Sequence, residues 1–131
     1  MKYITLIALL TISSLQAKHL HKEAYYQKIV CNKMNGQIEY RLPDKTRIDC
    51  LTKGYAIEFD FANKWAESIG QSLYYGTMTE RNAGVVLIME RGSKDMRYLK
   101  RLNKVARDHN ITVWTVDSAL TLKRRQIEYR A

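Results

Sequence analysis

The segment from Arg47 to Phe61, RIDCLTKGYAIEFDF, decides the fold because it contains two alternating strands joined by a short turn. A two-residue turn at Lys53-Gly54 fixes the register of this hairpin and places Asp49 directly opposite Glu58. Side chains alternate along each strand, so one polar face carries Arg47, Asp49, Glu58 and Asp60. The other face is predicted to form the core, with Ile48, Cys50, Ile57, Phe59 and Phe61.

Two facing carboxylates need neutralisation, because their Cβ atoms lie roughly 5 Å apart and like charges destabilise a sheet. A hard divalent cation with oxygen ligands supplies it, and Mg²⁺ typically needs only one or two carboxylates. Asp49 and Glu58 are therefore predicted to bind a metal, and neutralisation by nearby Lys or Arg side chains is the alternative. Asp60 lies opposite Arg47 in the same register, which predicts a salt bridge between them.

The helix predicted after the hairpin begins at Ala62 or Asn63 and runs to about Tyr75, where Gly76 ends it. Steps of four, three and four align one stripe of this helix, which comprises Lys64, Ser68, Gln71 and Tyr75. Lys64 can reach back toward the carboxylates and stabilise charge on a phosphoryl group. Gln71 and Tyr75 can contact a phosphate or a base. The alternative for each is an ordinary exposed lysine, surface amide or half-buried tyrosine.

The rest of the chain extends this hairpin into an α/β domain. Helical spacing covers His19 to Met34, strands are predicted at Gln37 to Leu42, Gly84 to Glu90 and Ile111 to Val116, and a basic amphipathic helix at Asp95 to His109. The continuous apolar run GVVLIME predicts a strand buried on both faces. The tail is predicted to be a short helix or frayed. The order α-βββ-α-β-α-β predicts a mixed sheet of four to five strands with flanking helices.

The first seventeen residues resemble a secretory signal peptide, with Lys2, an apolar run and a small residue at Ala17. A buried N-terminal helix or a membrane anchor is the alternative. Residues 18–131 then form a single exported domain with 21 basic and 13 acidic residues, a net charge of +8. Such an excess favours a polyanionic partner, either nucleic acid or an anionic membrane surface, and no stable membrane insertion is expected. Cys31 and Cys50 form a disulfide or remain two small buried residues.

With Arg47-Ile48-Asp49, Glu58-Phe59-Asp60 and a helix carrying Gln71 and Tyr75, the chain resembles the PD-(D/E)xK nucleases over roughly residues 22–117. It is most similar to their Holliday-junction-resolvase and exonuclease-like branches. The resemblance implies an αβββαβ restriction-endonuclease-like core, Mg²⁺ or Mn²⁺ as cofactor and DNA as partner. It further implies that Asp49 and Glu58 are the metal ligands, Lys64 the catalytic lysine and Glu23 an accessory acidic residue.

One departure from this pattern sets the competing hypotheses. Asp60 stands where the family has a lysine, so the lysine is inferred to have moved to Lys64, while the literal Pro43-Asp44 falls in a turn. The leading hypothesis is an exported metal-dependent nuclease that hydrolyses DNA phosphodiester bonds. The alternative is a catalytically degenerate nuclease fold that only binds nucleic acid or a partner protein. An anionic-surface binder that uses its charge alone is a third.

Overall fold

A computed structural model describes residues 18–125, so the signal peptide predicted at residues 1–17 lies outside the described residues. The helices among them are α1 (Glu23–Lys33), α2 (Trp65–Thr79) and α3 (Met96–Asp108). The strands are β1 (Gln37–Arg41), β2 (Arg47–Leu51), β3 (Tyr55–Phe61), β4 (Asn82–Ile88), β5 (Thr112–Val116) and β6 (Leu122–Arg124). Short 3-10 turns at Ala62–Lys64 and Gly92–Asp95 lead into α2 and α3.

The strands form one mixed sheet in the order β1-β2-β3-β4-β5-β6. Strands β3, β4 and β5 are parallel to one another, and the other neighbours are antiparallel. The α/β class and the mixed sheet are thus confirmed, but the predicted four to five strands are wrong because the tail forms β6. Its three residues are too few to show a period, and two of them are basic, as is common on an edge strand.

The helices cover both faces of this sheet. On one face, Tyr26, Val30 and Cys31 of α1 pack into a core with Ile57 and Phe59. On the other, α2 and α3 pack over alternate residues of β4 and β5, namely Ala83, Val85, Leu87 and Val113. The apolar run in β4 is therefore buried on both sides, as predicted. Gly76 does not end α2, which continues to Thr79 and terminates at Glu80 in the left-handed conformation (φ 53°).

The sheet splits where β2 meets β3. Only Cys50↔Ile57 and Leu51↔Ala56 are paired between these strands, which confirms the predicted register. By contrast, β3 pairs with β4 along all seven of its residues. Beyond Cys50 the ladder between β2 and β3 ends, and we call this break in the pairing, which begins at Asp49, the notch.

A distortion in β2 accompanies this split and corrects one face assignment. Ile48 packs with Leu51 and Tyr75 rather than on the α1 side with Cys50, so the strict alternation fails at Asp49. Its neighbour on β1, Glu39, has a φ of 53°, a left-handed value uncommon for a residue with a side chain. Backbone strain of this kind is concentrated at functional sites.

Candidate active site

Asp49 and Glu58 come together at the mouth of the notch, as the hairpin register predicted. The Asp49 N–H donates to Glu58 Oε1 at 3.3 Å, and the Phe59 N–H donates to Asp49 Oδ2 at 2.8 Å. Side-chain carboxylates thus accept the bonds that backbone carbonyls would accept in a continuous ladder. The split in the sheet therefore positions the carboxylates of Asp49 and Glu58.

Burial raises the pKa of both members of this pair. Desolvation raises the pKa of Glu58, whose residue is 4% exposed, and the adjacent charge of Asp49 raises it further. Burial also raises the pKa of Asp49, while hydrogen bonds from the Phe59 N–H and from Glu58 favour its ionised form. In the absence of a cation, Glu58 is therefore the protonated member and Asp49 the ionised one.

Two further carboxylates join them. Glu23 at the start of α1 and Asp60 on β3 each have a pKa raised to about 7, in both cases mainly by burial. The charge of Asp49 raises both pKa values, and the ammonium of Lys64 lowers both. Asp60 is 8% exposed, and its Oδ2 has no well-formed hydrogen bond with any residue in 18–125.

Arg47 does not pair with Asp60. Its guanidinium lies 3.5 Å from Glu39 Oε2, so the predicted Arg47–Asp60 salt bridge is wrong. The reason is the same distortion, because β2 has already left β3 at Arg47 and the register no longer brings the two side chains together. Asp60 faces Glu23 and Lys64 instead.

The residues of the stripe predicted on the second helix differ in their exposure to solvent. Lys64 is exposed at the end of the 3-10 turn, and its charge acts on Glu23 and Asp60. Gln71 is exposed. Tyr75 is 7% exposed, and hydrogen bonding ties its hydroxyl to Thr46 and the backbone of Arg47, so it supports β2 and leaves little surface for a substrate.

Gln27 is a residue of this site that the sequence analysis missed. Its Nε2 donates to Glu39 Oε1 at 2.8 Å and to the backbone oxygen of Asp49 at 2.9 Å. Spacing contained a signal, since Glu23, Gln27 and Cys31 recur in steps of four on one face of α1. The last of these forms a disulfide with Cys50, the residue after Asp49. One face of α1 is thus fastened to the strand that carries the site.

The donor chemistry of the cluster fits a hard divalent cation. Its four carboxylates, Glu23, Asp49, Glu58 and Asp60, offer only oxygen ligands, and the buried Oδ2 of Asp60 has no well-formed hydrogen bond within residues 18–125. Within the described part of the chain, no three His, Cys, Asp or Glu side chains are already arranged to enclose a metal. Backbone N–H groups of Asp49 and Phe59 hold the carboxylates of Glu58 and Asp49.

The fold and the site define an α/β protein with a buried carboxylate cluster at a split in its sheet. Comparisons with protein-family models, with curated proteins and with solved structures find no match for this chain. Over residues 18–125, no helix has the length and apolar character needed to cross a bilayer.

Proposed function

We propose that this protein is a nuclease of the PD-(D/E)xK type that hydrolyses DNA phosphodiester bonds with Mg²⁺ or Mn²⁺. The observation that carries the proposal is the convergence of four carboxylates at the split between β2 and β3, where Asp60 Oδ2 is buried and has no well-formed hydrogen bond among the described residues. Grouping so many acidic groups costs stability, as their raised pKa values indicate. Ligand binding explains a site with this cost in folding stability better than a purely structural role does.

Each residue has a distinct role in the proposal. Asp49 and Glu58 hold the cation, and Glu23 and Asp60 complete its negative surroundings. A bound divalent cation supplies Lewis-acid polarisation of the phosphodiester. Water would attack the phosphorus, lose its proton to bulk solvent and form the new P–O bond, while the leaving oxygen takes a proton from another water. Lys64, whose charge already reaches Glu23 and Asp60, would stabilise the negative charge on the phosphoryl group during this exchange. Arg47 and Gln71, both exposed, contact the DNA beside the site.

Export and DNA binding belong to the same proposal. A disulfide between Cys31 and Cys50 is typical of proteins that mature outside the cytosol. The exposed face of α3 carries four basic residues in two turns, Arg97, Lys100, Arg101 and Lys104. Cations at that spacing can follow a phosphate backbone.

The test is cleavage of plasmid and linear DNA with Mg²⁺ or EDTA, beside Mg²⁺ affinity measured by calorimetry. Glu58→Ala should abolish both cleavage and metal binding. The matched control is Asp108→Ala, which removes an exposed carboxylate at the end of α3 and should change neither. Full activity in Glu58→Ala would end the nuclease assignment.

Asp60 in place of the family's lysine favours one competing function, a degenerate nuclease fold that binds nucleic acid without cutting it. The same experiment separates the two functions. DNA binding with no Mg²⁺-dependent cleavage in the unmodified protein would establish the binding-only function.

A further inference from the structure

A cavity of about 740 Å³ lies beside the carboxylate cluster, at the carboxyl ends of the parallel strands β3 and β4. Ligands of open α/β sheets commonly bind at this end. The cavity and the cluster meet at Lys64, which lines the cavity and whose charge acts on Glu23 and Asp60. A molecule bound at the cluster therefore has room to extend into the cavity.

An aromatic surface lines this cavity. The imidazole of His19 stacks on the ring of Phe61, with 3.5 Å between centroids and 9° between planes. Tyr98 contributes a third ring. The nearby guanidinium of Arg91 is fixed by Asp95 at 3.0 Å, so it adds positive charge in a defined place. Flat aromatic surfaces beside cations are the usual means of holding an unstacked nucleobase.

A buried acceptor completes the cavity. The Glu90 side chain is 5% exposed, and its Oε2 accepts the Leu20 N–H at 2.6 Å. Its Oε1 lies 3.4 Å from His19 Nδ1 but has no hydrogen bond with any residue the structure describes. The Tyr26 hydroxyl lies beside the same carboxylate, and within residues 18–125 it too has no well-formed hydrogen bond. A carboxylate oxygen has two acceptor positions, so Oε1 can accept a ligand donor beside Tyr26.

We propose that this cavity is a nucleobase subsite, in which one unstacked base lies against the face of the His19 ring that Phe61 does not cover and donates its exocyclic amino group to Glu90 Oε1. This inference rests on the proposed function, since the base would belong to the nucleotide beside the phosphate held at the cluster. It specifies the substrate as a strand with an unpaired base at that position. It also specifies a preference, because cytosine offers an amino group where thymine offers only an acceptor.

The test is equilibrium binding of the purified protein to fluorescein-labelled single strands, measured by anisotropy in EDTA so that no cleavage occurs. Oligomers of ten deoxycytidines should bind about tenfold more tightly than ten thymidines, the scale of one hydrogen bond to a charged acceptor. N4,N4-dimethylcytosine in place of cytosine removes the donor and should abolish the preference. This probe requires no change in the protein, so it decides the matter even if variants fail to fold.

Two variants assign the preference to the cavity. Glu90→Ala should remove the preference for cytosine and leave thymidine binding within twofold, whereas Asp108→Ala, with the same change in charge, should keep it. His19→Ala should weaken both oligomers alike, because stacking does not distinguish the two bases. Equal affinity for both oligomers, or a preference that survives in Glu90→Ala, overturns the subsite.

The outcome is separable from that of the proposed function. A cytosine preference in EDTA without any Mg²⁺-dependent cleavage would retain the subsite and remove the nuclease. Cleavage without a base preference would retain the nuclease and remove the subsite.

Discussion

Asp60 makes the net charge of the site more negative. A lysine at this position would place a cation among the carboxylates, whereas the aspartate adds a further negative group that is 8% exposed. The ammonium of Lys64 lowers the pKa of both Glu23 and Asp60. In the proposed mechanism, Lys64 therefore supplies the positive charge at the reacting phosphate.

Lys64→Ala should leave Mg²⁺ affinity nearly unchanged and slow cleavage by about 2.7–4 kcal/mol in activation free energy, the range measured for removing one charge-stabilising donor. The measurement is single-turnover cleavage at saturating Mg²⁺. Lys53→Ala, which removes an exposed lysine from the β2–β3 turn, is the control. A Lys64→Ala variant that cleaves at the full rate would leave the nuclease in place and discard this role for the lysine.

At the scale of the element, α1 acts as the support of the site. Three residues on its buried face reach the carboxylate region: Glu23 joins the cluster, Gln27 bonds Glu39 and Asp49, and Cys31 is covalently joined to Cys50. A disulfide that spans 19 residues stabilises a fold by about 3 kcal/mol. Both cysteines are fully buried, and their disulfide joins α1 covalently to β2.

Gln27→Met should raise the Mg²⁺ concentration needed for half-maximal cleavage by roughly tenfold, the lower end of the effect of losing a residue that orients a metal ligand. Methionine has a similar shape but cannot donate the two hydrogen bonds that hold Glu39 and the Asp49 backbone. The rate at saturating Mg²⁺ should change much less, since Gln27 contacts no reacting group. Lys28→Met changes an exposed neighbour and should have no effect. An unaltered Mg²⁺ midpoint in Gln27→Met would show that the glutamine only stabilises the fold.

For the molecule as a whole, the carboxylate cluster predicts a dependence of stability on pH. The folded pKa of Glu23 and of Asp60 is about 7, above ordinary values of 4.5 and 3.8, so the folded protein binds more protons between these limits. Stability is then greatest at the acidic end of this window and falls as the pH rises toward 7. Melting temperatures in EDTA should accordingly decrease from pH 5 to pH 8, and Mg²⁺ should restore stability at pH 8.

Asp60→Asn identifies the source of that dependence. The variant removes one of the two groups that titrate near pH 7, so its stability should vary less with pH than that of the unmodified protein. Asp108→Asn changes an exposed carboxylate and should not alter how steeply stability changes with pH. A slope that is the same in all three proteins would mean that the cluster does not control stability in this range.

Net charge makes a separate prediction for the whole molecule. If the four basic residues of the exposed α3 face each neutralise one phosphate, the logarithm of DNA affinity should fall against the logarithm of salt with a slope of about −3.6. The double substitution Lys100→Ala and Lys104→Ala should reduce that slope by about 1.8. Anisotropy titrations between 50 and 200 mM salt, values at which such slopes are usually compared, provide the measurement. Affinity that does not change with salt would exclude phosphate neutralisation as the mode of binding.

The sequence alone determined the elements and the register of the central hairpin. Period-two alternation in Arg47–Phe61 and the Lys53-Gly54 turn are local properties, so Cys50↔Ile57 and Leu51↔Ala56 pair as predicted. The same register brings Asp49 near Glu58, but side-chain hydrogen bonds rather than a strand pairing join them. Helical spacing and the apolar run in β4 were sufficient for the α/β class, whereas the three residues of β6 carry too short a pattern to be recognised.

Only the tertiary structure decided how those residues are used. The ladder between β2 and β3 ends where α1 packs on one face of the sheet and Tyr75 of α2 packs on the other, an arrangement that no local pattern encodes. Beyond that break Arg47 pairs with Glu39 instead of Asp60, Glu23 lies near the other carboxylates and Tyr75 is buried. Gln27 joins the site because α1 packs back on β1 and β2, so that its amide bonds both Glu39 and the Asp49 backbone. Alternation specifies the face of a strand, but packing of the whole chain determines what covers that face.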